Sequence, residues 1–253
     1  MKELTINIHN LSIGYKWNKH KKIIAHSINT TISHGKFICL IGANGAGKST
    51  LLKTLSAFHL PLCGEIAING ENLFFFSKKN LSRTISIALT EKINAYNMSV
   101  YELVSLGRIP YTGFFGRLNR NDKIYIKYTL ELMRISNLIN KTTQTLSDGE
   151  RQKVMIAKAL VQQTPIVLLD EPISFLDFLN KKKILILLKK ISKSENKIIF
   201  ISIHDIDLAL KLSDEIWIMR KGKIPIIIYP PKLSKIEIEN WGNFFYKKQI
   251  FNQ

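Results

Sequence analysis

The fold is decided by one stretch of nine residues, Gly42-Ala43-Asn44-Gly45-Ala46-Gly47-Lys48-Ser49-Thr50. The stretch fits the pattern G-x-x-x-x-G-K-[ST] in full. The continuously apolar segment Phe37 to Ile41 precedes it and predicts a buried strand, and a leucine stripe after Gly47 predicts a helix. A glycine-rich turn between a strand and a helix points successive backbone N–H groups at phosphate oxygens. The stretch therefore predicts a nucleoside triphosphate site.

All residues of this loop, 42–50, are candidates for holding the triphosphate, and two have distinct roles. Lys48 has the length and charge to reach the β- and γ-phosphates, and the Ser49 hydroxyl is suited to ligate Mg²⁺. The following helix adds the partial positive charge of its N-terminus. We therefore predict a nucleoside triphosphatase that uses Mg²⁺.

Two adjacent acids follow a second apolar strand. Asp170 and Glu171 come directly after Ile166 to Leu169. Ligands of open α/β sheets bind at the carboxyl ends of the strands, so we expect both acids beside the phosphate loop. Asp170 would hold Mg²⁺ directly or through water, and Glu171 would orient or deprotonate the attacking water. Acids after a strand are also common N-caps, so the combination with the phosphate loop carries this interpretation.

A histidine ends a third apolar strand. His204 follows the segment Ile198 to Ile203. If that strand runs parallel to its neighbour, His204 lies at the same edge of the sheet, within reach of a γ-phosphate. A histidine at a strand end is by itself more often structural, and its place beside the other motifs favours a catalytic role.

The rest of the chain alternates between strand and helix patterns, which is typical of an α/β fold with a mostly parallel sheet. Helical patterns predominate from about residue 94 to 160 and predict an inserted helical subdomain. The tail, about 223–253, contains three prolines and is expected to be irregular. We expect residues 1–253 to form a single domain.

The charge of the chain admits two interpretations. It carries 37 Lys and Arg against 19 Asp and Glu, a formal net charge of +18. Such an excess suits nucleic acid or an anionic membrane surface. The lysines are spread along the whole chain, however, which is what a general compositional bias toward lysine would produce. We therefore favour the interpretation that they are solvated surface residues, and we expect no nucleic acid partner.

Cysteine usage and hydropathy indicate the compartment. Cys39 and Cys63 are too few for a disulfide framework, and Cys39 lies in an apolar run as a core residue would. The sequence opens without a secretory signal pattern, and no apolar run approaches the roughly 18 residues of a spanning helix. We expect a cytoplasmic protein that reaches a membrane only through a membrane-spanning partner.

The segment Leu146-Ser147-Asp148-Gly149-Glu150-Arg151-Gln152 resembles the signature LSGGQ-x-Q of the ATP-binding subunits of ATP-binding cassette (ABC) transporters. The resemblance covers roughly residues 3–222. It implies a P-loop NTPase cassette with a mostly parallel sheet core, an N-terminal antiparallel β part and an inserted helical subdomain. It also implies ATP as the nucleotide and Mg²⁺ as the metal.

The resemblance implies a homodimer in which two chains enclose two ATP molecules head to tail. The signature residues Leu146, Ser147, Asp148, Gly149 and Glu150 would contact the ATP on the partner, with Ser147 as the N-cap of the following helix. The resemblance also implies roles for individual residues outside the signature. Tyr15 matches the aromatic residue that stacks on adenine, residues 174–177 match the loop linking the two sites, and His204 matches the switch histidine.

Three positions depart from the family pattern. Asp148 stands where the family has glycine and brings negative charge near phosphate, and Glu150 replaces glutamine. Glu91 is our best match to the glutamine that touches Mg²⁺, and a carboxylate can still ligate that ion. Thr90 is the alternative match. These departures leave open a pseudo-enzyme that binds ATP without turnover.

A further segment points to one branch of the family. Residues 101–111, with the aromatic residues 114–118 after them, resemble a stretch of the importers of iron-siderophores, haem and cobalamin. The resemblance implies that this region packs against a coupling helix of a membrane-spanning permease, and that a substrate-binding protein acts through the permease. The chain would then lie peripherally at the cytoplasmic face of the cell membrane. A solvent-facing loop is the alternative.

Two other functions remain as rivals. A soluble iron–sulfur cluster assembly ATPase has the same fold, but its sequence after the acid pair differs and Gly107-Arg108-Ile109-Pro110 is not expected there. A nucleic-acid or ribosome-binding cassette would suit the net charge of +18. Such proteins commonly carry two cassettes or a long coiled coil, whereas this sequence has a single phosphate loop.

Overall fold

The structure, a computed structural model, describes residues 4–18, 20–89 and 97–230. The strands are β1 Thr5–Trp17, β2 His20–Ser33, β3 Phe37–Ile41, β4 Cys63–Ile68, β5 Glu71–Asn72, β6 Ile85–Ala88, β7 Ile166–Leu169, β8 Ile198–Ser202, β9 Glu215–Ile218 and β10 Ile226–Ile228. The helices are α1 Lys48–Leu55, α2 Lys78–Thr84, α3 Val100–Ser105, α4 Arg120–Leu132, α5 Asp148–Val161, α6 Phe178–Ser194 and α7 Ile206–Leu212.

The strands form two sheets. An antiparallel sheet has the order β2-β1-β4-β5, and a six-stranded sheet has the order β10-β9-β3-β8-β7-β6. In the larger sheet the five strands from β9 to β6 run parallel, and β10 is antiparallel to β9. Strands β3, β7 and β8 are entirely buried, as expected of apolar runs covered on both faces. The predicted α/β fold with an antiparallel N-terminal part is confirmed.

The two faces of the six-stranded sheet belong to two apolar cores. Along β3, Phe37, Cys39 and Ile41 pack into one core together with residues of α3 to α7. The alternate residues Ile38 and Leu40 pack into the other, with α1 and the antiparallel sheet. This alternation follows from the two-residue repeat of a strand. Cys39 is a core residue as predicted, and burial raises the pKa of its thiol.

The helices between residues 100 and 161 pack around a buried ion pair. Arg108 is 5% exposed, and its Nε donates to Asp122 Oδ1 at 2.9 Å. Its Nη1 donates to the Val161 carbonyl at the end of α5, also at 2.9 Å. The rings of Tyr111 and Tyr125 lie 4.0 and 4.9 Å from the guanidinium carbon. The Arg108 side chain therefore connects the segment that follows α3 with two helices, α4 and α5.

Two elements differ from the sequence-based expectation. Helix α2 was not predicted, because Leu81 is its single apolar residue and no apolar periodicity marks it; the Ser77 side chain caps it. Strand β10 lies inside the tail that we expected to be irregular. Its three isoleucines, Ile226–Ile228, pair with β9 despite the neighbouring prolines. Among the helices of the described residues, none combines the length and hydropathy needed to cross a bilayer.

We expect Gly107→Ala to destabilise the fold by about 1–3 kcal/mol, the usual cost of overpacking. A Cβ at Gly107 would lie 2.4 Å from the Lys158 carbonyl oxygen and 2.5 Å from Val161 Cγ1, so α5 would have to move away. Denaturant unfolding monitored by circular dichroism measures the change. Gly113→Ala is the matched control, since a Cβ at Gly113 meets no atom of the described residues within 4 Å. Equal stabilities of the two variants would contradict this packing argument.

Candidate functional site

The phosphate loop connects the end of β3 to the start of α1. Gly47 directly precedes α1 with φ of 103°, a left-handed conformation that favours glycine. A Cβ at this position would also lie 2.0 Å from Ile24 Cγ2. Ala43, Asn44 and Gly45 are exposed, so the backbone at the tip of the loop is open to a ligand. The strand–loop–helix arrangement predicted from the sequence is therefore present.

The ammonium group of Lys48 lies at the centre of the site. The side chain is only 4% exposed, and Nζ donates to the Gly42 carbonyl at 2.9 Å. Nζ is also 3.8 Å from Glu171 Oε1. Burial lowers the pKa of Lys48, while the negative charges of Glu171 and Asp170 act in the opposite direction. The loop lysine and the two predicted acids thus share one electrostatic environment.

The acid pair and the histidine meet because β7 and β8 are parallel neighbours. Asp170 follows β7 and is 5% exposed. His204 lies beyond β8, and its Nε2 is hydrogen bonded to Glu171 Oε1 at 2.8 Å. Glu171 has φ of 47°, which is uncommon for a residue other than glycine. The structure therefore brings Lys48, Glu171 and His204 together, as the sequence predicted.

Tyr15 lies beside the first turn of α1. Its hydroxyl is hydrogen bonded to Thr50 Oγ1 at 3.0 Å, and the ring is 37% exposed. The His59 ring meets it edge to face, with 5.6 Å between the ring centroids. An exposed aromatic face next to the phosphate loop is suited to stack on a nucleotide base.

The signature residues form the N-terminus of α5. Ser147 is the N-cap, as predicted: its Oγ accepts from the Glu150 backbone N–H, and Glu150 Oε2 accepts from the Ser147 backbone N–H at 2.9 Å. These hydrogen bonds lower the pKa of Glu150. Glutamate at position 150 therefore completes a capping box. Asp148 occupies the first turn, where negative charge is favourable to the helix dipole.

The contacts of the signature within this chain are with the segment after the acid pair. In residues 4–18, 20–89 and 97–230, no hydrogen bond or ion pair joins Leu146–Glu150 to the loop 42–50. The signature instead packs on the segment after Glu171, since a Cβ on Gly149 would lie 3.1 Å from Leu176 Cδ2.

Gln152 and Ser202 are two site residues to which the sequence analysis gave no role. Gln152 Nε2 donates to Ser174 Oγ at 2.7 Å and to the Glu171 carbonyl at 3.3 Å, and its Oε1 accepts from Phe175 N. It thereby ties α5 to the loop after Glu171. Ser202 bonds to both acids of the pair. Its place as the last residue of the signature pattern was the only feature of the sequence that could have indicated a role for Gln152.

The donor set near the loop fits Mg²⁺. Ser49 supplies an exposed hydroxyl at the start of α1, and Asp170 supplies a carboxylate at the end of β7. Hard oxygen donors of this kind, completed by water and substrate phosphate, are what Mg²⁺ prefers. Glu91 and Thr90, the two alternatives for a third ligand, lie outside the described residues.

Comparison with known proteins agrees with this geometry. Residues 25–174 match the ABC transporter family. An uncharacterised ABC transporter ATP-binding protein of Methanocaldococcus jannaschii is 39% identical over 231 residues, 91% of this chain and 78% of that protein. The iron(3+)-hydroxamate import ATP-binding protein of Bacillus subtilis is 36% identical over 220 residues, 87% of this chain and 80% of that protein.

Comparison with solved structures leads to the same family of folds. The dimeric structure of MJ0796, a bacterial ABC transporter cassette, superposes with a TM-score of 0.79 at 24% identity, covering 89% of this chain and 98% of the other. A strand–loop–helix nucleotide site with an acid pair and a histidine at its edge defines a P-loop ATPase. More particularly, the chain belongs to the ABC transporter family, as an ATP-binding and ATP-hydrolysing subunit.

We expect Gln152→Ala to lower the free energy of unfolding by roughly 0.5–1.5 kcal/mol, because it removes the hydrogen bonds of the Gln152 side chain to Ser174 Oγ and the Phe175 N–H, both of which are exposed. Thermal unfolding of the full chain measures the change. Gln144→Ala is the matched control, since Gln144 is an exposed residue shortly before the same helix. If both variants unfold at the same temperature, Gln152 does not tie α5 to the loop.

Proposed function

We propose that this chain energises an ABC importer for an iron complex (a siderophore or haem) or for cobalamin, by hydrolysing ATP at the site built around Lys48 and Glu171. The observation that carries the proposal is the position of the Glu171 carboxylate, 3.8 Å from the Lys48 ammonium and 2.8 Å from the His204 imidazole. A base between a phosphate-binding cation and an orienting histidine is what attack by water on a phosphoryl group requires.

The residues of the site have separable roles in this mechanism. The N–H groups of loop 42–50 and the Lys48 ammonium bind the phosphates and balance the negative charge that develops on transfer. Glu171 accepts a proton from the attacking water through a carboxylate oxygen, and His204 orients that carboxylate and senses the γ-phosphate. Tyr15 stacks on adenine. Mg²⁺, held by Ser49, Asp170 and Glu91 or Thr90, would supply further charge neutralisation at the phosphates.

A dimer completes the site in this proposal. The N-terminus of α5, with Leu146, Ser147, Asp148, Gly149 and Glu150, would contact ATP held by the loop of a second copy. The dimeric state of the similar cassette MJ0796 supports that arrangement. The Asp148 side chain would lie at the rim of the phosphates, where it favours the helix and opposes the bound charge.

The permease would contact the helical part, residues 94–160, which we propose as a subdomain of one single domain. Phe114 and Phe115 are 99% and 81% exposed, and exposed apolar side chains of this size mark interaction sites. Arg108, in contrast, is buried and shapes the segment that presents them. The chain would then lie peripherally at the cytoplasmic face of the membrane, with a substrate-binding protein acting through the permease.

The cargo class rests on relatives and on one segment. The similar protein of Bacillus subtilis is named for iron(3+)-hydroxamate import. Residues 101–111 and 114–118 resemble a stretch of the importers of iron complexes and cobalamin, and the second of these segments includes the exposed Phe114 and Phe115 of the proposed permease surface. Both observations support a large chelate cargo rather than an ion or a sugar.

We expect Glu171→Gln to reduce ATP turnover by roughly 10²–10⁴-fold while ATP binding persists, because the amide cannot accept the water proton. Phosphate release from the full chain measures turnover, and fluorescent MANT-ATP measures binding. Lys48→Ala is the comparison variant and should lose most nucleotide affinity, since the cation at the phosphates is gone. Unimpaired turnover in Glu171→Gln would remove the base from the mechanism.

We expect cells of the source organism that lack this chain to lose uptake of the iron chelate. Accumulation of ⁵⁵Fe-hydroxamate, ⁵⁵Fe-haem and labelled cobalamin is measured in parallel, with the wild-type chain and Glu171→Gln reintroduced as positive and negative controls. Uptake of one cargo that returns with the wild-type chain alone identifies that cargo. Unchanged uptake of all three in the deletion strain would contradict the importer assignment.

A further inference from the structure

One fully buried hydroxyl joins the two acids of the site. Ser202 is the last residue of β8 and is 0% exposed. The parallel pairing of Leu169 with Ile201 places Asp170 opposite Ser202. Ser202 Oγ lies 2.7 Å from Asp170 Oδ1 and 2.8 Å from the backbone nitrogen of Glu171. The same oxygen therefore contacts the side chain of one acid and the main chain of the other.

The directions of these two hydrogen bonds are fixed by chemistry. A backbone N–H can only donate, so Ser202 Oγ accepts from Glu171. The single hydroxyl proton then goes to Asp170, whose ionised carboxylate can only accept. Hydrogen bonds to a carboxylate are among the stronger ones in proteins and fix its orientation. Ser202 thus holds Asp170 Oδ1 in place, and with it the rotation of the carboxylate that faces the phosphate loop.

The second hydrogen bond acts on the backbone of Glu171. This residue has φ of 47°, a left-handed conformation that the surroundings must impose on a side-chain-bearing residue. Its N–H is held by Ser202, and its carbonyl accepts from Gln152 Nε2 at 3.3 Å. Both peptide groups flanking the Glu171 Cα atom are therefore anchored. The direction in which the Glu171 side chain leaves the backbone, toward Lys48 and His204, follows from those anchors.

We propose that Ser202 is a positioning residue for ATP hydrolysis, which sets the Asp170 carboxylate for Mg²⁺ and the Glu171 carboxylate for the attacking water. This inference rests on the proposed function, because it concerns the same site. Because Ser202 is fully buried and its hydroxyl is bonded to Asp170 and Glu171, we expect it to act through the two acids and not by contact with nucleotide or metal. Partners of metal-binding carboxylates commonly change metal affinity or activity by 10–100-fold when they are removed.

The test compares two serines that are buried to the same extent. Ser192 is also 0% exposed, and its Oγ donates to the Lys189 carbonyl at 2.8 Å within α6, away from the acids. Ser202→Ala and Ser192→Ala each remove one buried hydroxyl, so both should lower the melting temperature. Only Ser202→Ala should disturb the site. Ser202→Thr keeps the hydroxyl and is the conservative variant.

The measurement is the Mg²⁺ dependence of MANT-ATP binding and of phosphate release, with the full chain in each case. For Ser202→Ala we expect kcat to fall roughly 10–100-fold, and the Mg²⁺ concentration at half-maximal nucleotide binding to rise about 10-fold. Nucleotide binding in EDTA should stay within about twofold of wild type, since the loop and Lys48 are untouched. Ser202→Thr should recover the Mg²⁺ dependence, and Ser192→Ala should never lose it.

Two results would overturn the role of Ser202. One is a Mg²⁺ dependence of Ser202→Ala that equals that of Ser192→Ala. The other is a Ser202→Thr variant that loses it as fully as Ser202→Ala, which would assign the effect to packing. Either result leaves the proposed function standing if Glu171→Gln still abolishes turnover. If Glu171→Gln retains turnover instead, the proposed function itself fails, whatever Ser202→Ala does.

Discussion

The parallel pairing of β7, β8 and β3 is the constraint on which the site depends. Each of these strands ends in a residue or loop with a chemical role: β3 leads into the phosphate loop, β7 into Asp170 and Glu171, and β8 into His204. Because parallel neighbours end at the same edge, three segments distant in sequence become one site. Their interiors are wholly apolar and buried, which fixes the register by packing.

The charges at that edge are few and mutually compensated. Lys48 is a buried ammonium, and burial alone would disfavour its charge. The negative charges of Glu171 and Asp170 raise the pKa of Lys48 and so oppose the effect of burial. The carbonyls of Gly42 and Ala43 accept hydrogen bonds from its ammonium group. A cation held in this way is already placed where phosphate would bind. Many of the other lysines in the described residues are exposed and lie far from this edge in sequence, so the net charge of +18 says little about the site.

Sequence patterns predicted strands β3, β7 and β8 and the residues at their ends, because buried strands and the phosphate loop have local signals. Helix α2 had no such signal, since Leu81 is its single apolar residue and cannot make a periodic pattern. The roles of Ser202 and Gln152 could not be predicted from the sequence, for a different reason. Their roles depend on which strand or loop lies opposite, and a single sequence does not contain that register. The burial of Arg108 likewise follows from packing that joins residues 14 and 53 positions away.

Helix α5 connects the nucleotide edge of the sheet to the exposed surface of the helical part. Near its start, Gln152 bonds to the loop after Glu171. At its end, the Val161 carbonyl accepts from Arg108, and Gly107 lies against the Lys158 carbonyl. The segment that begins at Gly107 leads directly to the exposed Phe114 and Phe115. The loop at Glu171 and the segment that leads to the exposed aromatic side chains are therefore both held by the same helix, one near its start and the other near its end.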